Sequence, residues 1–190
     1  IYELLQSPGT EVIMITRPRR FGKTLAMSML ESFFDIRKAS KVLFEGLDIM
    51  SHQSLCEEWM NKWPVIFVSF RQVDGLDFDS ACAMLSSVIA ELFNEHLYLL
   101  DDERITEYCA LKFAVVTGCL KIAKESIFTG TNNFVSDSVA DSRLTEYFGF
   151  VQSEVDEILK DADIFNQSEN IRKWYDGYHF GDVDVYCPWD

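Results

Sequence analysis

A chain of 190 residues with 31 Asp and Glu against 17 Lys and Arg, a formal net charge of −14, is ill suited to general nucleic-acid or anionic membrane-surface binding. A hydrophobic content of 48%, with 15 phenylalanines, supplies the core of one large domain, or of one domain with a small appendage. Net charge describes the whole surface and leaves room for a local basic cleft.

Residues 1–10, with Ser7-Pro8-Gly9, read as a lead-in and a turn. The apolar run from Val12 to Ile15 predicts a buried strand over about 11–16. Apolar residues at helical spacing through Leu25-Ala-Met-Ser-Met-Leu-Glu-Ser-Phe-Phe34 predict a helix over about 23–36. Between them lies Arg17-Pro-Arg-Arg-Phe-Gly-Lys-Thr24, in which four cations crowd into seven residues of an acidic chain. Strand, tight turn and helix give a Gly-Lys-Thr its meaning. Amides at the helix start point at a phosphate, Lys23 adds charge, and Thr24 can ligate magnesium. In the pattern G-x-x-x-x-G-K-[ST] the first glycine falls where this chain has Arg17. Pro18 fixes its own φ and pushes Arg17 away from helical geometry; the Arg17 side chain then points away from a nucleotide or contacts it.

Leu43-Phe-Glu-Gly-Leu47 reads as a turn and Ser54 to Lys62 as a short helix. Pro64-Val-Ile-Phe-Val-Ser-Phe70, bounded by proline and rich in β-branched and aromatic residues, predicts a second strand inside a parallel sheet. A long helix follows from about Asp79 to His96, with Leu85, Val88, Ile89, Leu92 and Phe93 on one face. In Leu97-Tyr-Leu-Leu-Asp-Asp-Glu103 the helical period continues without a Gly or Pro, so the run is read as finishing that helix. Asp101 and Asp102 are weak candidates for a magnesium-organising acid. Phe113-Ala-Val-Val-Thr-Gly118 predicts a third strand whose Thr117 either faces a phosphate or simply ends the strand. A helix is expected within Phe148–Leu159, with Ser153 as N-cap and Asp156 or Glu157 in its first turn. The tail from Ile171 begins helical and breaks at Gly177, its aromatics packing a terminal subdomain.

Cysteines at 56, 82, 109, 119 and 187 form no C-x-x-C pair and read as small buried thiols in a reducing compartment. His52, His96 and His179 lie far apart and offer no zinc-ligand spacing. No apolar run approaches the roughly 18–20 residues that span a bilayer, and the N-terminus has no signal-peptide pattern. No membrane association and a cytoplasmic location are expected of this chain, which begins at Ile1.

Thr16-Arg-Pro-Arg-Arg-Phe-Gly-Lys-Thr-Leu25, followed by Met29-Leu30 and Phe33-Phe34, resembles the signature of the bacterial predicted AAA-ATPase-like family. Further blocks carry the resemblance along nearly the whole chain: Thr117-Gly-Cys-Leu-Lys-Ile122, Lys124-Glu-Ser-Ile-Phe-Thr-Gly130 with Asn132-Asn133-Phe134, and Trp174-Tyr-Asp-Gly-Tyr-His-Phe-Gly181 with Tyr186-Cys-Pro-Trp189. The resemblance implies an α/β, P-loop NTPase-like fold with a mainly parallel sheet flanked by helices. In it Arg-Pro-Arg-Arg-Phe-Gly-Lys-[ST] replaces the glycine-rich loop, and Arg17 belongs to the pattern. It implies a core over 1–144 and a small, mostly helical lid or adaptor over 145–190. The restriction-nuclease-like domain that many members carry is expected to be absent. The family also has a strand ending in an acidic motif between the long helix and the Thr-Gly strand. Leu100 and Phe113 are here separated by a dozen residues, which points to a stretch omitted near 108–112.

The implied function is ATP binding with magnesium, and hydrolysis that drives conformational change. Arg17, Pro18, Arg19, Arg20, Phe21, Gly22, Lys23, Thr24 and Leu25 would form the nucleotide site. Lys23 and Thr117 would act on the γ-phosphate, and Thr24 would hold the metal. Three alternatives stand beside it: a nucleotide-binding switch or scaffold that does not hydrolyse, a small-molecule kinase using the same loop, and nucleic-acid binding through the arginines. A protein partner or self-association is compatible with each.

Overall fold

The computed structural model describes residues 1–6, 12–100, 112–119 and 134–188. The chain is a mixed α/β protein that divides into two compact units, one of residues 1–30 and 111–190 and the other of 31–110.

In the first unit a single helical turn, α1 (Tyr2–Leu5), precedes β1 (Val12–Thr16). The residues of β1 are apolar on both faces, and Ile13, Met14, Ile15 and Thr16 are all buried, as befits the middle strand of a parallel sheet. β2 (Ala114–Gly118) and β3 (Phe134–Asp137) flank it, in the order β2-β1-β3, both parallel to it. Val12 stands opposite Ala114 and Phe134, and Ile15 opposite Thr117 and Asp137. Both neighbours therefore end level with β1, at the loop that follows Thr16.

Helix α2 (Lys23–Phe34) starts from that loop. Beyond β3, α6 (Gln152–Asp161), α7 (Ser168–Tyr175) and an antiparallel hairpin of β4 (Asp176–Phe180) and β5 (Val183–Tyr186) complete the unit. The tail is thus helical and stranded together. Its helix gives way at Asp176, and the aromatic stretch expected merely to follow a break is itself a strand. The N-cap of α6 is Val151, two residues before the expected Ser153. The Glu154 carboxylate accepts the Val151 N–H at 3.0 Å, and this local bond sets the start.

The second unit opens with the end of α2 and holds α3 (Lys41–Phe44), α4 (Gln53–Trp59) and α5 (Phe78–Glu95). Phe33 packs edge-on against Phe34 and Phe44, and Phe34 against Trp59, with centroid separations of 5.1, 5.3 and 5.8 Å. The carbonyls in the last turn of α2, which lack intrahelical donors, are taken by Asn61. Its amide nitrogen donates to Ser32 O at 3.1 Å and Asp35 O at 3.0 Å, and its backbone N–H to Phe33 O at 2.7 Å. Asp77 caps α5 by accepting the Ser80 N–H at 2.8 Å. That helix ends at Glu95 and the chain passes into a separate 3-10 turn, Leu97–Leu99, so the described part of the run after His96 does not continue the α-helix that its unbroken period predicts. Asp101 and Asp102 lie outside the described residues.

The strand expected over Pro64–Phe70 is not formed. Trp63 makes a single parallel bridge to Asp35, and no described segment pairs with the residues after it. A strand is defined by its ladder, and an apolar sequence without a neighbour cannot make one. Among the described residues no helix is long and apolar enough to cross a membrane.

Asp35 is buried and its carboxylate meets Arg37 at both oxygens, with Nε at 3.0 Å from each and Nη2 at 2.6 Å from Oδ2. Burial alone would raise its pKa, but the hydrogen bonds and charge of Arg37 outweigh burial and hold it below the usual 3.8. A depressed folded-state pKa gives stability that is present above the unfolded value and lost as pH falls through the folded one. Urea unfolding across an acid series should therefore show Asp35→Asn losing less stability than the parent chain below the usual aspartate range, though starting lower at neutral pH.

Candidate phosphate-binding loop

The loop between β1 and α2 is held from below by its first residue. Arg17 continues the ladder through its N–H, which donates to Gly118 O at 3.1 Å. Its side chain is fully buried. Nη1 donates to Thr16 O at 2.9 Å and Asp137 O at 3.2 Å, while Nη2 reaches Leu144 O at 3.1 Å and Arg143 O at 3.4 Å. The guanidinium lies over the rings of Phe148 and Phe180, 5.3 and 5.4 Å from their centroids. Burial acts most strongly on this group and lowers its pKa, while the charges of Asp137 and Asp141 oppose that shift. Of the two orientations open to Arg17, the side chain takes the one directed into the protein.

Asp137, at the end of β3, is likewise buried, with Oδ2 3.7 Å from Arg143 Nε. Burial pushes its carboxyl above the usual aspartate range against the pull of Arg143 and Arg17. Arg17, Asp137 and Arg143 form a charged knot beneath the loop. Sequence reading did not find Asp137 or Arg143 because the strand that ends at Asp137 is only four residues long, Arg143 lies in the turns after it, and Arg17 precedes both by more than a hundred residues.

Phe21 is a second anchor. It is buried, meets Tyr178 edge-on at 4.8 Å and lies 5.1 Å from Phe180. Gly149 makes room for it: with φ +103, a Cβ there would stand 2.8 Å from Tyr186 O and 3.1 Å from the Phe21 ring. With the loop fixed at Arg17 and Phe21, Pro18 is half-buried, whereas Arg19 and Arg20 are exposed.

Arg20 and Gly22 both adopt left-handed backbone, φ 70 and 68. For Gly22 this conformation alone explains the residue, since a Cβ built there meets nothing within 4 Å. Among the described residues nothing occupies the space beside Gly22. α2 begins at the next residue, and Ala26 N–H donates to Gly22 O at 2.9 Å. The amides of the first turn have no intrahelical acceptor and carry the positive end of the helix dipole. Lys23 is half-buried and its ammonium donates to Pro18 O across the turn; an ammonium has three donors, so two remain for a ligand. Thr24 and Leu25 are exposed. Thr117 is half-buried on β2 opposite Ile15, one residue short of the strand end.

The structure therefore brings Arg17 through Leu25 together with Thr117 at the carboxyl end of a parallel sheet, where ligands of open α/β sheets bind. Among the described residues no group of three or more His, Cys, Asp or Glu side chains is placed to hold a metal.

If Arg17 supports the loop through its forked donors, Arg17→Leu should lower unfolding stability by about 2–5 kcal/mol, because buried carbonyls lose their partners. Arg17→Lys should recover less than half of that, since one ammonium cannot reproduce the planar fork. Urea melts of the three chains check both statements.

A model of the family described as Predicted AAA-ATPase matches residues 1–108. A protein of Azotobacter chroococcum mcd 1, described as "Uncharacterized protein in vnfD 5'region", is 26% identical over a span of 231 residues. That match takes in 93% of this chain and 43% of the relative, so the chain spans less than half the relative's length. No solved structure matches the chain.

Proposed function

Since the chain belongs to the predicted AAA-ATPase family, we propose that it binds a nucleoside triphosphate at the turn between β1 and α2, and that the bound nucleotide is ATP hydrolysed to drive a conformational change. The observation that carries this reading is the open space beside Gly22 at the positive end of α2, with Lys23 and Thr24 as the first two helical residues. Oriented amides and a helix terminus are a ready anion site, and Lys23 with the exposed Arg19 and Arg20 adds the positive charge a polyphosphate needs.

In this reading Gly22, Lys23 and Thr24 hold the β- and γ-phosphates, Pro18 and Phe21 shape the turn, and Thr117 lies beside the γ-phosphate. Arg17 supports the turn without touching the ligand. Magnesium prefers six oxygen ligands and keeps several waters while binding phosphate oxygens, so one protein hydroxyl suffices; Thr24, exposed in the first turn, fits that need. When bound, the metal neutralises charge on the phosphates. Hydrolysis further requires a carboxylate that orients water; Asp101 and Asp102 lie outside the described residues. We assign residues 1–144 to the nucleotide-binding core and 145–190 to an adaptor. Phe21 contacts Tyr178 and Phe180, which gives such an adaptor a direct route to the loop.

Lys23→Ala should reduce magnesium-ATP affinity by about a hundredfold, roughly 2.7 kcal/mol, while its unfolding free energy stays within about 1 kcal/mol of the parent. Calorimetric titration beside a urea melt checks this, and unchanged affinity would remove the reading. Arg20→Ala should weaken binding less than Lys23→Ala in the same titration; an equal or greater loss would make the arginine the main phosphate ligand. Phosphate release measured on the parent chain separates hydrolysis from a switch that only binds.

A further inference from the structure

The charged knot beneath the loop is underpaired. Asp137 closes β3 opposite Ile15, and its carbonyl accepts from Arg17 Nη1 at 3.2 Å and Thr16 Oγ1 at 3.5 Å. Its carboxylate is less well served: Oδ2 is buried without a hydrogen-bond partner, and Arg143 Nε stands off at 3.7 Å. Arg17 Nε and Arg143 Nη2 are buried without acceptors as well. Among the described residues these are three of the five buried side-chain atoms left without a partner. A charged cluster kept for stability alone would fill such bonds, because ions taken out of water are unfavourable unless their donors and acceptors are satisfied.

The charges that face Asp137 are Arg17, from the loop after β1, and Arg143 and Asp141, from the turns after β3. Asp141 is occupied locally, its Oδ2 accepting the Ser138 N–H at 2.7 Å and the Ser138 hydroxyl at 2.6 Å. Asp137 Oδ2 has no such donors, so of the two acids Asp137 is the one whose charge is more readily removed. Burial already pushes its carboxyl above the usual aspartate range. With both acids ionised the two arginines are balanced; with Asp137 neutral the knot carries one net positive charge. Arg17 joins this knot to the turn, since its backbone opens the loop while its side chain reaches the Asp137 carbonyl.

We propose that Asp137 sets the charge beneath the turn and takes up a proton when a polyphosphate occupies it, a coupling that rests on the nucleotide-binding reading above. A polyphosphate brings several negative charges to the turn, and charges inside a protein are only weakly screened. Added negative charge disfavours an ionised carboxylate. The proton taken up in turn leaves Arg17 and Arg143 with a positive charge that attracts the ligand. Linkage makes the two effects equal: whatever factor the proton adds to nucleotide affinity, the nucleotide adds to proton affinity. Affinity therefore rises as pH falls through the titration of Asp137 in the bound chain, and levels off below its titration in the free chain. Asp137 acts through the arginines and does not touch the ligand.

Two measurements on the full chain test this. The carboxyl carbon resonance of Asp137 is followed through a pH series with and without saturating magnesium-ATP. With nucleotide its midpoint should move up, to a proton affinity at least about fivefold higher. Calorimetric titration with magnesium-ATP, at a pH between the two midpoints and in two buffers of different ionisation enthalpy, then counts protons. The parent chain should take up more than Asp137→Asn, whose amide cannot titrate; comparing the two removes the protons that belong to ATP itself. The resonance needs no variant, so it decides even where Asp137→Asn fails to fold. Magnesium-ATP that does not bind the parent chain overturns the nucleotide reading and this coupling together. Binding that leaves the Asp137 midpoint in place or lowers it, or equal proton uptake by the parent and Asp137→Asn, overturns the coupling alone.

Discussion

A guanidinium with no exposed surface holds the candidate loop in place. An arginine cannot shed its charge, so burying it is unfavourable unless its donors are filled. Here the two terminal nitrogens meet four carbonyl oxygens, from Thr16, Asp137, Arg143 and Leu144, and the group lies against two aromatic rings, while the buried Nε has no acceptor among the described residues. Three distant pieces of chain, the end of β1, the end of β3 and the stretch leading to α6, are joined by one side chain. A glycine at this position would have freed the turn; the arginine anchors it.

The anchoring leaves the far end of the turn open. Arg17 and Phe21 point inward and are enclosed, whereas Arg19 and Arg20 are exposed and Gly22 borders open space. The loop thus has an enclosed side and an exposed side, the enclosed one held by aromatic and carbonyl partners in the C-terminal hairpin and its approach. Gly149 belongs to the same arrangement, since any side chain there would collide with Tyr186 O and press on Phe21.

Much of this was legible in residue order. The β1–turn–α2 unit, the strand ending in Thr117-Gly118 and the extent of α5 follow from hydrophobic period and breakers. The role of Arg17 was not, because a cation beside a phosphate-loop motif reads as a ligand contact until its partners, some 120 residues later, are seen. Pro64–Phe70 misled for the opposite reason: an apolar run records the wish for a neighbouring strand and not its presence. The cap of α6 was placed two residues late because a serine attracts attention, whereas the working contact is the Glu154 carboxylate on the Val151 amide. The blocks between Lys121 and Asn133 lie outside the described residues, so their part in the site rests on resemblance.

The account stands on the turn between β1 and α2 being a polyphosphate site built over a buried arginine. Titrating the labelled chain with magnesium-ATP and following its amide resonances tests this most directly. The account predicts that the Gly22, Lys23 and Thr24 amides move first and furthest, with saturation, and that Arg17 Nε shifts little. Saturable binding that leaves those three amides in place, or no binding at all, would contradict it.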